Sequence, residues 1–426
     1  LFSGSLIAQA IGFAALYFLG RMYSPEAFGE LEIFLKIAGV LIVVSGLRYE
    51  MSTVVEDDEE VAKNLTKLSL LLNAGISFIV LIIILFARTS IANFFNLSNS
   101  SVLYFVPLII WLTGSTETLI LWRNRQKEYA KISTNRVLSS STGTAYKLSH
   151  FFLKIFSFNG LIIGHLLGQI IAFCHLLYKL PFSLFKLDFQ AIKKAANKYR
   201  TFPLYSTPAA LLNILATSMP VFLIAYFDGQ ESTGYFANAY KLTYLPMSML
   251  SMSLGQVFFE RIARLRSDSK EAAGLSHNLI NLMFVLGIVP VVILAVWGDQ
   301  IAPIILGPNW TEAGIYIQIT ILFYFSMFLT SAFSSAFETY GKLNIQLGYN
   351  LIFLIATFLA MFLTYKNGGS TRDALLWFVI IGVTLRVLVI NYFFHLFGKN
   401  IILKTIFAIA LVGLLTWLGL GIKHGF

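Results

Sequence analysis

The sequence predicts an all-α integral membrane protein, built as two parallel-repeat six-helix transmembrane bundles around a central cavity, plus an extra C-terminal span. Three observations carry that expectation. The 426 residues are 57% hydrophobic and only 12% charged, with a mean hydropathy of +0.75, against about a quarter charged residues in soluble domains. Apolar runs near the roughly 20-residue length that crosses a bilayer recur along almost the whole chain. A Glu-x-x-Gly-x6-Lys pattern also occurs twice at an offset of 205 residues, as Glu26, Gly29, Lys36 and as Glu231, Gly234, Lys241.

In chain order the runs place spans at 2–20, 29–47, 65–87, 101–122, 137–153 and 160–180, then at 203–227, 235–258, 276–298, 313–336, 345–365 and 375–397, with 401–421 beyond. The first carries Ser5, Gln9 and Gly12 on one helical face, suited either to lining a cavity or to hydrogen bonding between helices. The second holds Glu32 and Lys36, and the fourth holds Glu117. The fifth is the weakest, rich in Ser and Thr and carrying Lys147, and is kept because the repeat requires it. In the sixth, His165 and His175 are too far apart for an i,i+4 metal pair and read as packed residues. The seventh presents Ser206, Asn213 and Thr217 on one face, the eighth carries Lys241 and the twelfth Arg386. Shorter echoes keep the order of the repeat: Ile91-Ala92 with Ile301-Ala302, and Glu60-x-Ala62 with Glu271-x-Ala273. An even number of spans in each half starts both on the same side, so the halves are related by an axis along the membrane normal. The basic connection at about 181–202 separates them, giving domains at 1–190, 191–400 and 401–426.

The net charge of +10 is mostly a topology signal. Of the 31 basic residues, 21 lie in loops on one side of the predicted membrane, 6 on the other and 4 inside spans. The positive-inside rule then puts the N-terminus and the 48–64, 123–136, 181–202 and 259–275 loops in the cytoplasm. That distribution argues against nucleic acid as a partner. One cysteine, Cys174, excludes an internal disulfide and a cysteine-based zinc cluster. No Walker sequence and no catalytic constellation occur, so neither an internal ATPase nor an enzyme is expected. The acidic run Glu56-Asp57-Asp58-Glu59-Glu60 reads as a solvated helix start, with carboxylates at the positive end of the macrodipole, and a regulatory or partner contact is the alternative.

Charge inside the spans points to chemistry. A cation in hydrocarbon is costly and persists facing a bundle interior or wet cavity. Lys36 and Lys241, at matched points of the two halves, therefore suggest a symmetric, positively charged cavity suited to carrying anions. Lys36 has a second reading, pairing with Glu32 one turn earlier or snorkelling to the interface. Lys147 and Arg386 sit too deep to snorkel and are either substrate contacts or structural links. Arg48 is either an interface anchor or an entry-side contact. Glu32 and Glu117 are the candidate carriers of a coupling proton or sodium ion, with structural pairing as the alternative. No cofactor is expected.

Gly20-Arg21-Met22-Tyr23-Ser24-Pro25-Glu26-Ala27-Phe28-Gly29, Leu47-Arg48-Tyr49-Glu50 and Gly307-Pro308-Asn309-Trp310-Thr311-Glu312-Ala313-Gly314 resemble the O-antigen and polysaccharide-unit flippases. Tyr240-Lys241-Leu242, with Pro246 and Gly255 downstream, is similar to the eighth helix of the lipid II flippases, where the residue at the Lys241 position is cationic and faces the central cavity. The resemblance covers essentially the whole chain and implies a member of the multidrug/oligosaccharidyl-lipid/polysaccharide exporter superfamily. It implies a bacterial inner-membrane protein that moves an undecaprenyl-diphosphate-linked oligosaccharide to the outer leaflet for surface polysaccharide biosynthesis. Membrane lipids and other surface-polysaccharide assembly proteins are its implied partners. The segment 401–421 departs from a twelve-span core. Two other classes are set beside this one. A cation-coupled multidrug exporter of the same superfamily would favour an acidic cavity. A membrane glycan polymerase or ligase would need a large external loop, and 88–100 and 299–312 are too short for one.

Overall fold

The computed structural model describes residues 2–153, 158–184, 186–265, 269–331, 333, 343–395 and 412–413. The expected span 401–421 therefore lies almost wholly outside the described residues. The helices are α1 (Phe2–Met22), α2 (Pro25–Ser45), α3 (Tyr49–Val55), α4 (Glu59–Phe94), α5 (Phe105–Arg125), α6 (Tyr129–Leu153), α7 (Gly160–Leu177), α8 (Phe189–Lys198), α9 (Thr207–Arg264), α10 (Ser269–Leu306), α11 (Thr311–Ser331), α12 (Leu343–Lys366) and α13 (Thr371–His395). No strand occurs among the described residues. Nine of the described helices are long and apolar enough to cross a membrane by length and composition. α2 and α6 fall short of that measure, α2 because Glu26, Glu30, Glu32 and Lys36 crowd one helix. The chain packs as two compact units, Leu1–Thr233 and Gly234–Phe426.

In the first unit, polar side chains do much of the joining. Ser24 caps α2, accepting from the Ala27 N–H, with Pro25 at the first helical position, so the Tyr-Ser-Pro-Glu stretch is a helix start. Asn159 Nδ2 ties α7 to it, donating to the Ala27 carbonyl at 2.7 Å and to Glu30 at 2.9 Å. The Ser-rich α6 is held on both flanks. Ser140 Oγ donates to the Ala8 carbonyl of α1 at 2.8 Å, and Arg136 donates to Ser5 Oγ. Toward α7, Ser139 Oγ donates to the Gly168 carbonyl at 2.9 Å and Asn135 Nδ2 to the Ala172 carbonyl at 2.7 Å. Glycine lets these two helices approach: a Cβ on Gly143 would lie 2.8 Å from the Gly164 carbonyl oxygen, and one on Gly168 would lie 2.7 Å from that of Ser139. Ser5 thus serves as a link between helices.

Two short helices stand where loops were expected. α3 follows Leu47 and Arg48, both left-handed at φ 49° and 60°, an uncommon conformation for non-glycine residues. α8 buries Ile192 and Ala195, with Ala195 packed in one cluster with Tyr49 and Leu65. The acidic run divides. Asp58 caps α4, accepting from Glu60 and Val61 N–H groups at 2.8 and 3.1 Å, and Glu59 and Glu60 occupy its exposed first turn. Glu56 instead is buried and accepts from Lys198 of α8 at 2.5 Å. Arg125 closes the end of α3 by donating to the Thr53, Glu56 and Asp57 carbonyls.

The expected spans at 203–227 and 235–258 are two helical stretches of α9 that meet at a kink at Gly229 (φ 82°, ψ −163°). Those angles are open essentially to glycine alone. The carbonyls freed before the break are taken by Asn96 Nδ2, which donates to Ala225 at 3.0 Å and Tyr226 at 2.9 Å. Gln230 Oε1 accepts from Ser98 Oγ at 2.5 Å. The predicted seventh span lies in the first compact unit, Leu1–Thr233.

The second unit is an aromatic-rich bundle whose core includes Phe258, Met283, Ile321, Phe328, Phe393 and Phe394. α10 and α11 approach through Gly298 and Gly314, where a Cβ on Gly298 would sit 2.9 Å from the Gly314 carbonyl oxygen. The Gly-Pro-Asn-Trp turn before α11 uses Gly307 at φ 114° and buries Trp310 under Tyr235. Arg372 and Glu312 join α13 to α11 by two bonds, of 2.8 and 2.5 Å.

Candidate functional site

The first unit holds five of the sequence-predicted residues. Lys36 Nζ lies 3.5 Å from Glu32 Oε1 on α2, the i,i+4 geometry anticipated for them, with Glu32 buried and Lys36 half-buried. Lys147, half-buried on α6, lays its stem over Gly164, and its carbonyl accepts from the Tyr23 hydroxyl at 2.7 Å. Arg48 occupies the left-handed turn with its Nε buried and without a hydrogen-bond partner among the described residues. Glu117 on α5 is accessible at its surface yet closely surrounded by protein, and its electrostatic neighbours are Glu50 and Arg48. The structure therefore brings Arg48 and Glu117 into one neighbourhood and joins Glu32 to Lys36.

Beside that neighbourhood lies a buried polar network which the sequence did not single out. Ser45 Oγ donates to Asn73 Oδ1 at 2.6 Å, Asn73 Nδ2 to Thr118 Oγ1 at 3.2 Å, and Thr118 Oγ1 to the Gly114 carbonyl at 2.9 Å. It joins α2, α4 and α5. Gly46 and Gly114 make room: a Cβ on Gly46 would meet Glu50 Oε2 at 2.6 Å, and one on Gly114 would meet Asn73 Oδ1 at 2.7 Å. Glu50 Oε2 is buried without a hydrogen-bond partner among the described residues.

The second unit holds Lys241 and Arg386. Lys241 is half-buried on the second half of α9, next to Tyr240. Tyr240 stacks on Tyr244 at 5.4 Å, and both rings meet Tyr324 of α11. Arg386 of α13 donates from Nη1 to Thr330 Oγ1 of α11 at 3.1 Å. Its guanidinium lies 5.0 Å from the ring centre of Phe323 and 5.9 Å from that of Phe353. Gly382, one turn earlier on α13, explains that seat: a Cβ there would meet Phe323 ring atoms at 2.5 and 2.6 Å, so only a bare position admits the ring beneath Arg386. Tyr349 stacks on Phe353 at 6.0 Å along α12. Tyr349, Thr330 and the two phenylalanines were missed. Their only sequence signal is i,i+4 spacing, of Tyr349 with Phe353 and of Gly382 with Arg386.

Residues 18–314 match the family described as polysaccharide biosynthesis protein. The lipopolysaccharide biosynthesis protein WzxC of Escherichia coli (strain K12) is 22% identical over 429 residues, covering 91% of this chain and 85% of its own. Among solved structures, the lipid II flippase MurJ in its inward closed conformation has a TM-score of 0.69 at 14% identity, covering 100% of this chain and 98% of its own. An inward-facing multidrug resistance MATE transporter of the MOP superfamily has a TM-score of 0.68 at 13% identity, covering 97% and 95%. The class is that of a multi-pass helical membrane protein whose fold resembles that of MOP-superfamily transporters. The chain belongs to the polysaccharide biosynthesis protein family, and its fold is the two-bundle fold shared by MATE transporters and MurJ.

Proposed function

We propose that the chain flips an undecaprenyl-diphosphate-linked oligosaccharide unit from the cytoplasmic to the outer leaflet of a bacterial inner membrane, by alternating access. The fold alone does not choose a cargo, because the same architecture serves drug exporters and a lipid flippase. The observation that carries the reading is charge: Lys36, Lys147, Lys241 and Arg386 lie within spans against two candidate coupling carboxylates, Glu32 and Glu117. A diphosphate and a hydrated sugar need a wet, cationic path, while the polyprenyl tail stays in lipid. In this reading Lys241 is the principal diphosphate contact, supported by Lys36 and Lys147, with Arg48 on the entry side. Two repeats, 1–190 and 191–400, rock about the cargo. An acidic site for cationic drugs fits this charge balance poorly.

Lys241→Ala should abolish surface-glycan export at normal membrane abundance, whereas Lys241→Arg should retain much of it, because charge rather than shape meets a mobile diphosphate. Full export by Lys241→Ala would overturn the reading. In liposomes carrying a labelled lipid-linked sugar, an imposed proton or sodium gradient should change the flipping rate of wild type and not that of Glu117→Gln. A Glu117→Gln variant that responds as wild type does would make this carboxylate structural. The same comparison with Glu32→Gln tests the second carboxylate: an unaltered response would leave Glu32, 3.5 Å from Lys36, the role of holding that lysine in place.

A further inference from the structure

Glu50 is an ionisable group in the first unit to which the flippase reading gives no role. Leu47 and Arg48, both left-handed, turn the chain from α2 into α3. The turn lays the Glu50 side chain back against the end of α2. A Cβ on Gly46, which caps that helix, would meet Glu50 Oε2 at 2.6 Å and Asn73 Oδ1 at 3.4 Å. Oε2 is buried and has no hydrogen-bond partner among the described residues. That place suits an acid better than an anion. A helix end carries carbonyl oxygens and the negative pole of the macrodipole, which repel a carboxylate and accept from a carboxylic acid. Burial raises the Glu50 carboxyl, outweighing its own backbone N–H and Arg48, which lower it.

The charges around Glu50 do not balance. Glu117 of α5 has Glu50 and Arg48 as its electrostatic neighbours, so two carboxylates share one guanidinium. The other charged groups on the elements packed around α3 are engaged elsewhere. On α2, Lys36 pairs with Glu32. On α4, Lys63 pairs with Glu59 and Glu60, and Lys67 donates to the Lys186 carbonyl. On α5, Arg123 pairs with Glu128, and Arg125 donates to carbonyls at the far end of α3. Glu56, at that far end, pairs with Lys198. The turn at 202–206 has one titratable group, Tyr205, which is exposed. With both carboxylates ionised, the trio of Arg48, Glu50 and Glu117 carries one negative charge in excess. Two carboxylates in one site resist ionising together, and a single proton restores neutrality.

We infer that Glu50 and Glu117 hold one exchangeable proton between them beside Arg48, with Glu50 its sealed seat and Glu117 the accessible member through which it enters and leaves. The inference rests on the reading of Glu117 as a coupling carboxylate and adds the residue that gives it a proton to carry. Without Glu50, Glu117 and Arg48 balance as a simple ion pair, and no proton remains near neutral pH. The occupant is a proton rather than a sodium ion because the neutral oxygens beside Glu50 are spent. Ser45 donates to Asn73, Asn73 to Thr118, and Thr118 to the Gly114 carbonyl.

The test is a ligand-free infrared titration of the full-length protein in detergent, reading the protonated-carboxyl band as pH changes. Wild type should keep one carboxyl protonated at about pH 6, where an ordinary glutamate, with a pKa of about 4.3, is ionised. Glu50→Gln and Glu117→Gln should each abolish that band, and the double variant should abolish no more, since either change removes the whole shared proton. Either single variant preserves the test if the other fails to fold. Arg48→Gln should move the titration upward by about one to three pH units, the usual effect of losing a nearby opposite charge. A band that survives in Glu50→Gln, or single variants that each remove a separate proton, would overturn the pair. A midpoint that falls when sodium replaces choline as the buffer cation would assign the seat to sodium and overturn the proton. In liposomes, Glu50→Gln should lose the response of flipping to an imposed proton gradient, and Glu50→Asp should keep part of it. A Glu50→Gln variant that responds as wild type does would remove Glu50 from coupling. A wild type that shows the shared proton yet ignores the gradient would refute the coupling reading of Glu117 and leave the pair standing.

Discussion

Gly114→Ala is a test of the buried network in the first unit. The new Cβ would lie 2.7 Å from Asn73 Oδ1, 2.8 Å from Ser45 Oγ and 3.0 Å from Asn73 Cγ. Those are not the loose ends of long side chains. Asn73 is 1% exposed and Ser45 fully buried, so neither has room to retreat. Overpacking of this kind costs about 1–3 kcal/mol. Breaking the Ser45–Asn73 and Asn73–Thr118 bonds adds about 0.6 kcal/mol each at the average for hydrogen bonds inside membranes. Against this, alanine is better than glycine in a helix by about 0.8–1 kcal/mol. The balance is a net destabilisation of about 1–3 kcal/mol. Unfolding in mixed micelles, titrated with SDS, measures it. The matched control is Gly12→Ala on α1, where nothing lies within 4 Å of the added atom and helix propensity acts alone. Combining Gly114→Ala with Asn73→Ala should cost less than the sum of the two, since the second change removes the obstacle. If Gly114→Ala stabilises the protein as much as Gly12→Ala does, the network is not tightly packed and the reasoning fails.

Two further outcomes follow from the region outside the spans. Burial alone would raise the Glu56 carboxyl, but hydrogen bonds from Lys198, the Asp58 N–H and Tyr199 outweigh it and hold it below the usual carboxylate range. Its contribution is therefore complete above the unfolded value of about 4.3 and lost as pH falls through the lower folded value. Wild type should be more thermostable than Glu56→Gln at pH 7, with the difference vanishing in acid; a difference that grows on acidification would reverse the sign. For topology, Ser183→Cys and Ser370→Cys, both exposed positions, can be tested in a Cys174→Ala background in intact cells. A membrane-impermeant thiol reagent should label the 370 site and spare the 183 site, and labelling of the 183 site would invert the orientation.

Legibility in the sequence followed the range of the interactions. Apolar runs located the described spans because length and hydropathy are local properties. The Glu32–Lys36 pair was readable because both residues sit one turn apart on one helix. The housing of Arg386 was not, because Thr330, Phe323, Phe353 and Tyr349 arrive from other helices, and only the glycine at 382 marks the seat from within its own helix. The position of the kink in α9 was hidden for a related reason. The polar residues after Gly229 resemble a loop, yet they extend a helix once Asn96 and Ser98, more than a hundred positions earlier, satisfy the groups around the break. The Ser-rich α6 read as a poor span for what proved to be its means of attachment.

That attachment bears on how the protein enters the bilayer. α6 is not apolar enough to qualify as a membrane-crossing helix alone, and its Asn135, Ser139 and Ser140 would each carry an unsatisfied group into hydrocarbon. Their acceptors lie on α1, made long before it, and on α7, made directly after it. During synthesis α6 therefore has a receiving surface on one flank only until α7 emerges. The pair is expected to insert as a hairpin rather than as successive single helices. Bulk added at Gly143, Gly164 or Gly168 would then lower the yield of correctly inserted protein before it affects anything the finished molecule does.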